Sequence, residues 1–259
     1  MSRFLLVSLN IDAVQETTIH RRRQKLSAMT DGLGLGDAYG ATLGRIKRQG
    51  GEKARLGLAA LMWISYAERP LKASELCQAL AIEIGSPNLN IDNVPSIGTL
   101  LARCQGLIVA EEKDSTVRLV HFTLHEHLRA HPDLFDAAHS AIAETCLSYL
   151  NSQQVKALST SPSPNIQHKP FLEYSALYWG VHAKRDLSDC AKQLALKLFE
   201  DYNSHVSAGV LLGTQNMYRH AMHSSLNKNP LFSGLHCASS FGIVEIVACL
   251  AEVEGRDIC

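Results

Sequence analysis

The sequence of 259 residues is long enough to bury a sizeable core, and the usual size of protein domains gives it one or two. Its 25 lysine and arginine residues equal its 25 aspartate and glutamate residues, so no net charge draws the chain to a polyanion. These numbers disfavour general binding to nucleic acid or to a membrane surface, and we expect neither partner.

The cysteines and the apolar segments indicate the compartment. Seven cysteines stand singly, without CxxC spacing, in a chain too long to need covalent cross-links. They are typical of reduced thiols that pack as small apolar side chains. Asn10 and Asp12 interrupt the apolar start of the chain, no small-residue cleavage site follows, and no segment approaches the length of a membrane-spanning helix. The sequence therefore predicts a cytoplasmic protein.

Apolar residues recur at helical spacing through the first hundred residues. Residues 1–50 are predicted to form a helical segment, in which the glycine-rich stretch 31–37 lies between two helices and the second of them runs from Ala38 to Lys47. Three further helices follow, and Pro70 ends the first because proline disfavours a helical conformation in the residue before it. They are predicted at Ala54–Ala67, Ser74–Ile84 and Ser96–Cys104.

The pattern then changes from helical spacing to strand-like runs. Leu107–Ala110 and Thr116–His121 flank the polar turn 113–115, which predicts a two-stranded β-hairpin. Thr123 and Glu126 have the spacing of a capping box, in which a hydroxyl and a carboxylate satisfy free backbone N–H groups at a helix start. A helix is therefore expected directly after the hairpin.

Beyond Pro132 the pattern is again helical, with weaker segments as far as Met222. The Ser/Pro-rich stretch Ser159–Pro164 is predicted to be a surface linker. The stronger helices are predicted at Ala137–Leu150, Phe171–Ala183 and Asp189–Asn203.

Three helices, a two-stranded wing and a further helix, in that order, indicate a winged-helix module over residues 53–131. Four of its segments are AERPL (67–71), ELCQALAI (75–82), GLIV (106–109) and VHFTLHEHL (120–128). These segments resemble the winged-helix domain that follows the NACHT ATPase module in fungal ankyrin proteins of the STAND type, a domain catalogued as the GPI inositol-deacylase type. The name does not by itself imply deacylase activity. Residues 3–49 are similar to the helices that close the NACHT region, and residues 173–180 to the helices downstream.

The end of the sequence has the pattern of a repeat. The segment SGLHCA (233–238), followed by Phe241-Gly242, resembles an ankyrin repeat in which Ser-Gly replaces the usual Thr-Pro pair. Its helix pair is predicted at Leu235–Ser240 and Val244–Ala251. Only one such unit is present, whereas stacked repeats need neighbours to bury a continuous core. The predicted fold class is thus mainly α: a winged helix with a small two-stranded hairpin, flanked by helical segments and ending in an ankyrin-like helix pair. The predicted domains are residues 1–50, 53–131, 137–226 and 230–259.

One position departs from the family pattern. The family commonly has Thr where Lys72 stands, so the side-chain oxygen that would cap the second helix of the winged helix is missing. Ser74 is the nearest replacement, and we expect the cap to move two residues along the chain.

No motif for nucleotide or acyl chemistry is found in the sequence. A GxxxxGK[ST] phosphate loop and a GxSxG nucleophile elbow are both absent. Gly32, Gly34, Gly36 and Gly40 depart from GxGxxG spacing and do not follow a strand, which favours an interhelical loop over a dinucleotide site. We therefore expect no catalytic residue and no cofactor.

The histidines are weighed as metal ligands. His121, His125, His127 and His131 are the best candidates, because imidazoles four residues apart lie on one side of a helix. Against zinc, His121 ends a strand and no carboxylate or thiolate clearly completes the shell, so no metal is expected. The resemblance gives His236 a structural role instead, in which its ring nitrogens tie backbone groups of adjacent loops together.

The resemblance implies a non-catalytic protein. In the parent architecture the winged helix packs on the ATPase and helps to hold it inactive, while ankyrin repeats receive a partner. We expect protein partners, such as the NACHT module of a parent or related chain, and no small-molecule substrate. A stand-alone ankyrin-type adaptor is the alternative. DNA binding is a weaker one, because helix Ser96–Cys104 carries only Arg103 for phosphate contacts.

Overall fold

A computed structural model describes residues 18–19, 35–158, 169–220 and 233–256. The linker predicted at Ser159–Pro164, the helix predicted before the glycine-rich stretch 31–37, Gly32 and Gly34 lie outside these ranges. The described chain is mainly helical, as predicted, with one small antiparallel sheet. Its main elements are α1 (Leu35–Arg48), α2 (Gly51–Tyr66), β1 (Leu71–Lys72), α3 (Ala73–Leu80), α4 (Ile97–Arg103), β2 (Ile108–Ala110), β3 (Thr116–Leu119), α5 (Phe122–Ala130), α6 (Ala138–Leu150), α7 (Gln153–Lys156), α8 (Phe171–Arg185), α9 (Asp189–Phe199), α10 (Val206–His220), α11 (Gly234–Phe241) and α12 (Val244–Arg256), with 3-10 turns at Ile91–Asn93, Pro132–Leu134 and Tyr202–Ser204.

The chain divides into two compact units. Unit 1 contains residues up to 76 together with Pro95–Asp136, and unit 2 contains Cys77–Val94 together with the residues from 137 onward. Unit 1 holds the sheet with α1, α2, α4 and α5, and unit 2 is helical. No helix in the described residues is both long enough and apolar enough to span a bilayer.

The core of unit 1 is formed by apolar side chains that recur at helical and strand spacing. Helices α1 and α2 pack together, and α2 also packs on α4 and β3. A Cβ at Gly57 would lie 3.0 Å from the carbonyl oxygen of Arg103, so glycine lets α2 and α4 approach closely. The most buried side chains are Tyr39, Ile46, Leu61, Leu71, Leu100, Leu107, Leu124 and Leu128.

The sheet has three strands rather than the two predicted. Its order is β1-β3-β2, and both pairs are antiparallel. The hairpin itself is confirmed, with Ile108 opposite Leu119 and Ala110 opposite Val117. The extra strand arises because the chain stays extended after Pro70, so that Leu71 pairs with Val117 while its side chain is buried. Two residues of strand are too short to give a recognisable alternation in sequence.

The predicted starts of α1 and α5 are wrong. Helix α1 begins at Leu35, so Gly36 and Gly40 lie within this helix and not in an interhelical loop. Helix α5 begins at Phe122, and His121 is its N-cap: Nδ1 of His121 accepts the N–H of Thr123 at 3.3 Å. Thr123 is therefore inside the helix, where its hydroxyl bonds Tyr39 Oη at 2.9 Å. The capping box of Thr123 and Glu126 does not form.

Unit 2 is built around α6 and α8, which pack on each other, with α9 on α6 and α10 on α8. The segment Cys77–Val94 joins this unit through hydrogen bonds. Gln78 Oε1 accepts the N–H of Phe171 at 3.2 Å, and Ser148 Oγ accepts the N–H of Gly85 at 3.0 Å. Helix α3 ends at Leu80, four residues before the predicted Ile84, and Gly85 takes a positive φ of 76° that turns the chain.

Helices α11 and α12 lie where the sequence predicted a helix pair, and they pack on α8 and α9. A Cβ at Gly180 would come within 3.0 Å of the Phe241 ring, and a Cβ at Gly234 within 3.0 Å of Phe199. Phe241 and Phe199 both make edge contacts with the indole of Trp179. Two glycines therefore admit an aromatic cluster that joins the pair to the helical region.

This packing predicts opposite effects for two glycine substitutions. Gly180→Ala should lower the free energy of unfolding by about 1–3 kcal/mol, because the new methyl group overpacks the contact with Phe241. Gly213→Ala, in α10 with no atom within 4 Å of the added Cβ, should be neutral or raise it by about 0.5–1 kcal/mol. Urea unfolding followed by circular dichroism measures both. A stabilised Gly180→Ala variant would contradict the contact.

Candidate functional site

In winged-helix proteins that bind DNA, the third helix of the module enters the major groove. Helix α4 has that place in the order of elements here. It forms where predicted, with Ser96 as N-cap accepting the N–H of Thr99 at 3.1 Å. Its outer face exposes Gly98 and Ala102, which carry no charge. The guanidinium of Arg103 lies 3.5 Å from Gln49 Oε1, and Gln49 Nε2 donates to the Arg103 carbonyl at 2.9 Å. The one basic residue of the helix thus turns towards the end of α1.

The wing is acidic. Its turn carries Glu111, Glu112 and Asp114 against a single lysine, and Glu111 forms an ion pair with Arg118 at 2.5 Å. The Asp114 carboxylate accepts the N–H of Thr116 at 3.0 Å and its hydroxyl at 2.7 Å, and these bonds lower the pKa of Asp114. Affinity for DNA comes chiefly from cations that neutralise phosphates. Neither α4 nor the wing offers such a set.

A charged pair that the sequence analysis missed fixes the turn between α2 and α3. Arg69 donates two hydrogen bonds to the Glu75 carboxylate, at 2.8 Å and 2.7 Å, and the Glu75 side chain is only 3% exposed. Glu75 also accepts the backbone N–H of Lys72 at 2.7 Å. In a capping box the side chain three residues after the N-cap accepts the N-cap backbone N–H, and Glu75 does this for Lys72. The helix therefore begins at Ala73, and the expected shift of the cap to Ser74 is wrong.

Each of the four histidines considered as zinc ligands has another partner. His121 caps α5, and His125 Nε2 lies 3.2 Å from the Ser65 carbonyl oxygen. His131 Nδ1 contacts the His127 carbonyl oxygen at 2.8 Å, and the His127 ring packs against Tyr39. Burial and the nearby His131 lower the pKa of His127. Within the described residues, no group of three or more His, Cys, Asp or Glu side chains is placed to hold a metal ion.

The comparison with protein families agrees with the geometry of unit 1. Residues 46–143 match the family described as GPI inositol-deacylase, winged helix domain. The segment is a winged-helix domain. The match begins near the end of α1 and runs into the first turns of α6, so it contains the whole region of residues 53–131. No curated protein and no solved structure matches the chain.

Downstream of the winged-helix domain, unit 2 contains a buried chain of polar rings. Nδ1 of His182 lies 2.8 Å from Nδ1 of His139, and Nε2 of His182 lies 3.0 Å from the Tyr174 hydroxyl. Both ring nitrogens of His182 are therefore hydrogen-bonded inside the protein. Burial, with His139 and Arg185 nearby, lowers the pKa of His182 to about 3, so its ring is neutral at physiological pH. The two histidines are 43 positions apart, so this pairing cannot be recognised in sequence.

His236 acts within its own helix turn. Ser233 is the N-cap of α11, and the Ser233 N–H donates to His236 Nδ1 at 3.3 Å while the His236 N–H approaches Ser233 Oγ at 3.5 Å. The role is structural, but these contacts form a capping box with the N-cap of its own helix and not the expected tie between adjacent loops. It lies on the exposed side of the helix pair.

The described cysteines are free thiols. Four of them, Cys77, Cys104, Cys146 and Cys237, are buried. Burial raises the pKa of Cys104 and of Cys237 to about 12, so both stay protonated and are poor nucleophiles. Cys104 donates to the carbonyl of Gly57 at 3.5 Å. Their role is packing, as the sequence predicted.

The buried His182 predicts how the stability of unit 2 changes with pH. A histidine of the unfolded chain titrates near a pKa of about 6.5, whereas folded His182 stays neutral down to about 3. The unfolded state therefore takes up a proton first as the pH falls. The free energy of unfolding decreases by about 1.4 kcal/mol per pH unit below pH ~6.5, so the total loss at pH 5 is about 2 kcal/mol. Buried His205, whose pKa is also lowered by burial, adds in the same direction.

Urea unfolding of the wild type and His182→Gln at pH 7, 6 and 5 tests this dependence. The variant should be less stable at pH 7 and show a flatter decline between pH 6.5 and 5. An unchanged slope would mean that folded His182 takes up a proton in this range.

Proposed function

We propose that this chain is the non-catalytic, cytoplasmic, regulatory and protein-interaction portion of a fungal NACHT/ankyrin signalling ATPase of the STAND type. In this proposal the winged-helix domain packs on the ATPase module and helps to hold it inactive. Helices α11 and α12 are the first ankyrin repeat, and a protein partner binds to the repeats. The match of residues 46–143 supports the winged-helix part. The similarity of SGLHCA and of residues 3–49 to that family supports the rest.

The observation that carries the proposal is the packing of α11 and α12 within unit 2. Four apolar side chains of this segment are buried: Cys237, Ala238, Ile243 and Ile246. A terminal repeat needs a neighbour to cover one face, and here α8 and α9 supply it. Such packing is what a helical region would provide at the start of a repeat stack.

The surface of the winged-helix domain favours a protein partner over DNA. The outer face of α4 presents small, uncharged residues such as Gly98 and Ala102, which permit close approach of another protein surface. The acidic wing beside it repels phosphates. We therefore propose that the face of α4, defined by Gly98 and Ala102, contacts the ATPase module.

An inhibition assay tests the regulatory role. The probe is the NACHT module of a fungal NACHT/ankyrin protein from which its own winged-helix domain has been removed. Adding this chain should lower ATP turnover by about fivefold or more, the lower end of coupling between distinct sites. Ala102→Arg should abolish the effect, because a long charged side chain blocks close packing. Gln193→Arg, on the exposed side of α9, is the matched control and should inhibit normally.

Two results would overturn the proposal. One is ATP turnover by the chain alone, and the other is a module whose rate is unchanged at saturating concentrations of the chain. The second result would favour the stand-alone adaptor.

A DNA-binding measurement addresses the remaining alternative. Fluorescence anisotropy with labelled duplex DNA should give no saturable binding at about 50 mM salt, because α4 and the wing lack a set of cations for phosphate contacts. Tight binding that weakens steeply with added salt would instead establish a DNA-binding winged helix.

A further inference from the structure

A cavity of about 350 Å³ opens in unit 1, at the lower end of the size of ligand sites. It lies between the end of α2, the extended chain after it, β3 and α5. We call it the arginine cleft, because its walls carry the guanidinium groups of Arg69, Arg118 and Arg129 and only one carboxylate, that of Glu68. Its apolar wall is formed by Ile64, Leu71, Val117 and Leu119.

The three arginines differ in how their charge is offset. Arg69 is held by buried Glu75, and Arg118 by Glu111. Arg129 donates to the carbonyl of Ser65 at 3.3 Å, and its guanidinium carbon lies 4.4 Å above the Tyr66 ring. Neither contact supplies a formal negative charge, although both fix the position of the side chain. Arg129 therefore brings a positioned cation to the rim of the cleft.

The same cleft borders an edge of the sheet. The N–H of Val120 donates to the Leu107 carbonyl, and the N–H of Glu111 donates to the Thr116 carbonyl. Thr116 and Val120 therefore direct their backbone N–H and C=O groups towards the β2 side of β3. Backbone groups alternate in direction along an antiparallel strand, so the N–H and C=O groups of Val117 and Leu119 face the β1 side of β3. Val117 is met there by Leu71 of β1, but β1 starts at Leu71 and, in the described residues, no strand residue pairs with Leu119 on that side.

We propose that the arginine cleft binds an extended protein segment that carries an acidic side chain. Its carboxylate pairs with Arg129 and Arg118, and its backbone follows the open edge of β3 at Leu119, as in strand addition to a sheet edge. The apolar wall accepts the neighbouring side chain of the segment. This inference deepens the proposed protein-interaction role and rests on it for the kind of partner.

The experiment uses the full chain and a fluorescein-labelled hexaglutamate peptide as the probe. Anisotropy should show saturable binding that weakens as salt is raised from about 50 to about 500 mM. Hexaglutamine and hexalysine peptides should not bind. In NMR spectra, the largest changes in backbone amide chemical shift on adding the peptide should occur at Val117 and Leu119. A non-specific ionic association would not produce this pattern.

Substitutions locate the binding. Arg129→Gln and Arg118→Gln should each raise the Kd about tenfold, the loss expected for one charge-assisted contact. The Arg118 side chain is 56% exposed, so its substitution leaves the core intact and remains informative if Arg129→Gln disturbs packing on Tyr66. Arg55→Gln is the matched control, because Arg55 is an exposed arginine paired with a glutamate and does not line the cleft. Its Kd should stay within about twofold of the wild type.

The outcomes separate this inference from the proposed function. Equal losses in all three variants, no binding at millimolar peptide, or full displacement by an equal concentration of inorganic phosphate would overturn the peptide assignment. Binding with the expected variant pattern, in a chain that fails to inhibit the NACHT module, would support the cleft and contradict only the regulatory role.

Discussion

The winged-helix domain depends on the double hydrogen bond between Arg69 and Glu75. Removing a carboxylate from water is costly, and the cost is offset here because Glu75 also accepts the N–H of Lys72. The three bonds hold the chain extended across Pro70 and Leu71 and start α3 at Ala73. Only with that path does Leu71 pair with Val117 and close the third strand against the wing. The same path leaves the chain before Leu71 out of the sheet, and that departure opens the arginine cleft.

In unit 2, close contacts between glycines and aromatic rings hold the C-terminal helix pair in place. Gly180 and Gly234 each stand where a methyl group would collide with a phenylalanine ring, and both rings meet Trp179. Interiors packed to this density cannot shift gradually, so the helix pair α11 and α12 is held in one position on α8 and α9. This explains how a single helix pair, which has too little apolar surface to fold alone, is ordered within the larger unit.

Elements that depend on local patterns could be predicted from sequence. Helices α2 to α6, α8 and α9 and the hairpin follow from apolar spacing and from proline and glycine positions, and most of their bounds agree within a few residues. The C-terminal helix pair was predicted from the repeat pattern, whereas α7 was not predicted. Two of the errors concern helix caps, where an unexpected polar contact replaced the predicted one. Thr123 was predicted as a cap, but its hydroxyl bonds Tyr39, 84 residues away, and His121 caps instead. Ser74 was expected to replace a missing cap, but the carboxylate of Glu75 reaches back to the backbone.

The candidate site residues could be located in the sequence, but their hydrogen-bond partners could not be predicted from it. A set of four histidines can be recognised in sequence, but the partners of each side chain decide what it does. His125 contacts a backbone carbonyl, His121 is a cap, and His182 joins His139 across 43 residues. In the part of the chain that the structure describes, these polar groups are occupied in holding the fold together. The described surface also presents an uncharged α4 face, an acidic wing, and a cleft in which Arg129 contacts the Ser65 carbonyl and the Tyr66 ring. In the proposed function these features contact another protein chain, because protein–protein contact depends on surfaces of complementary shape and charge.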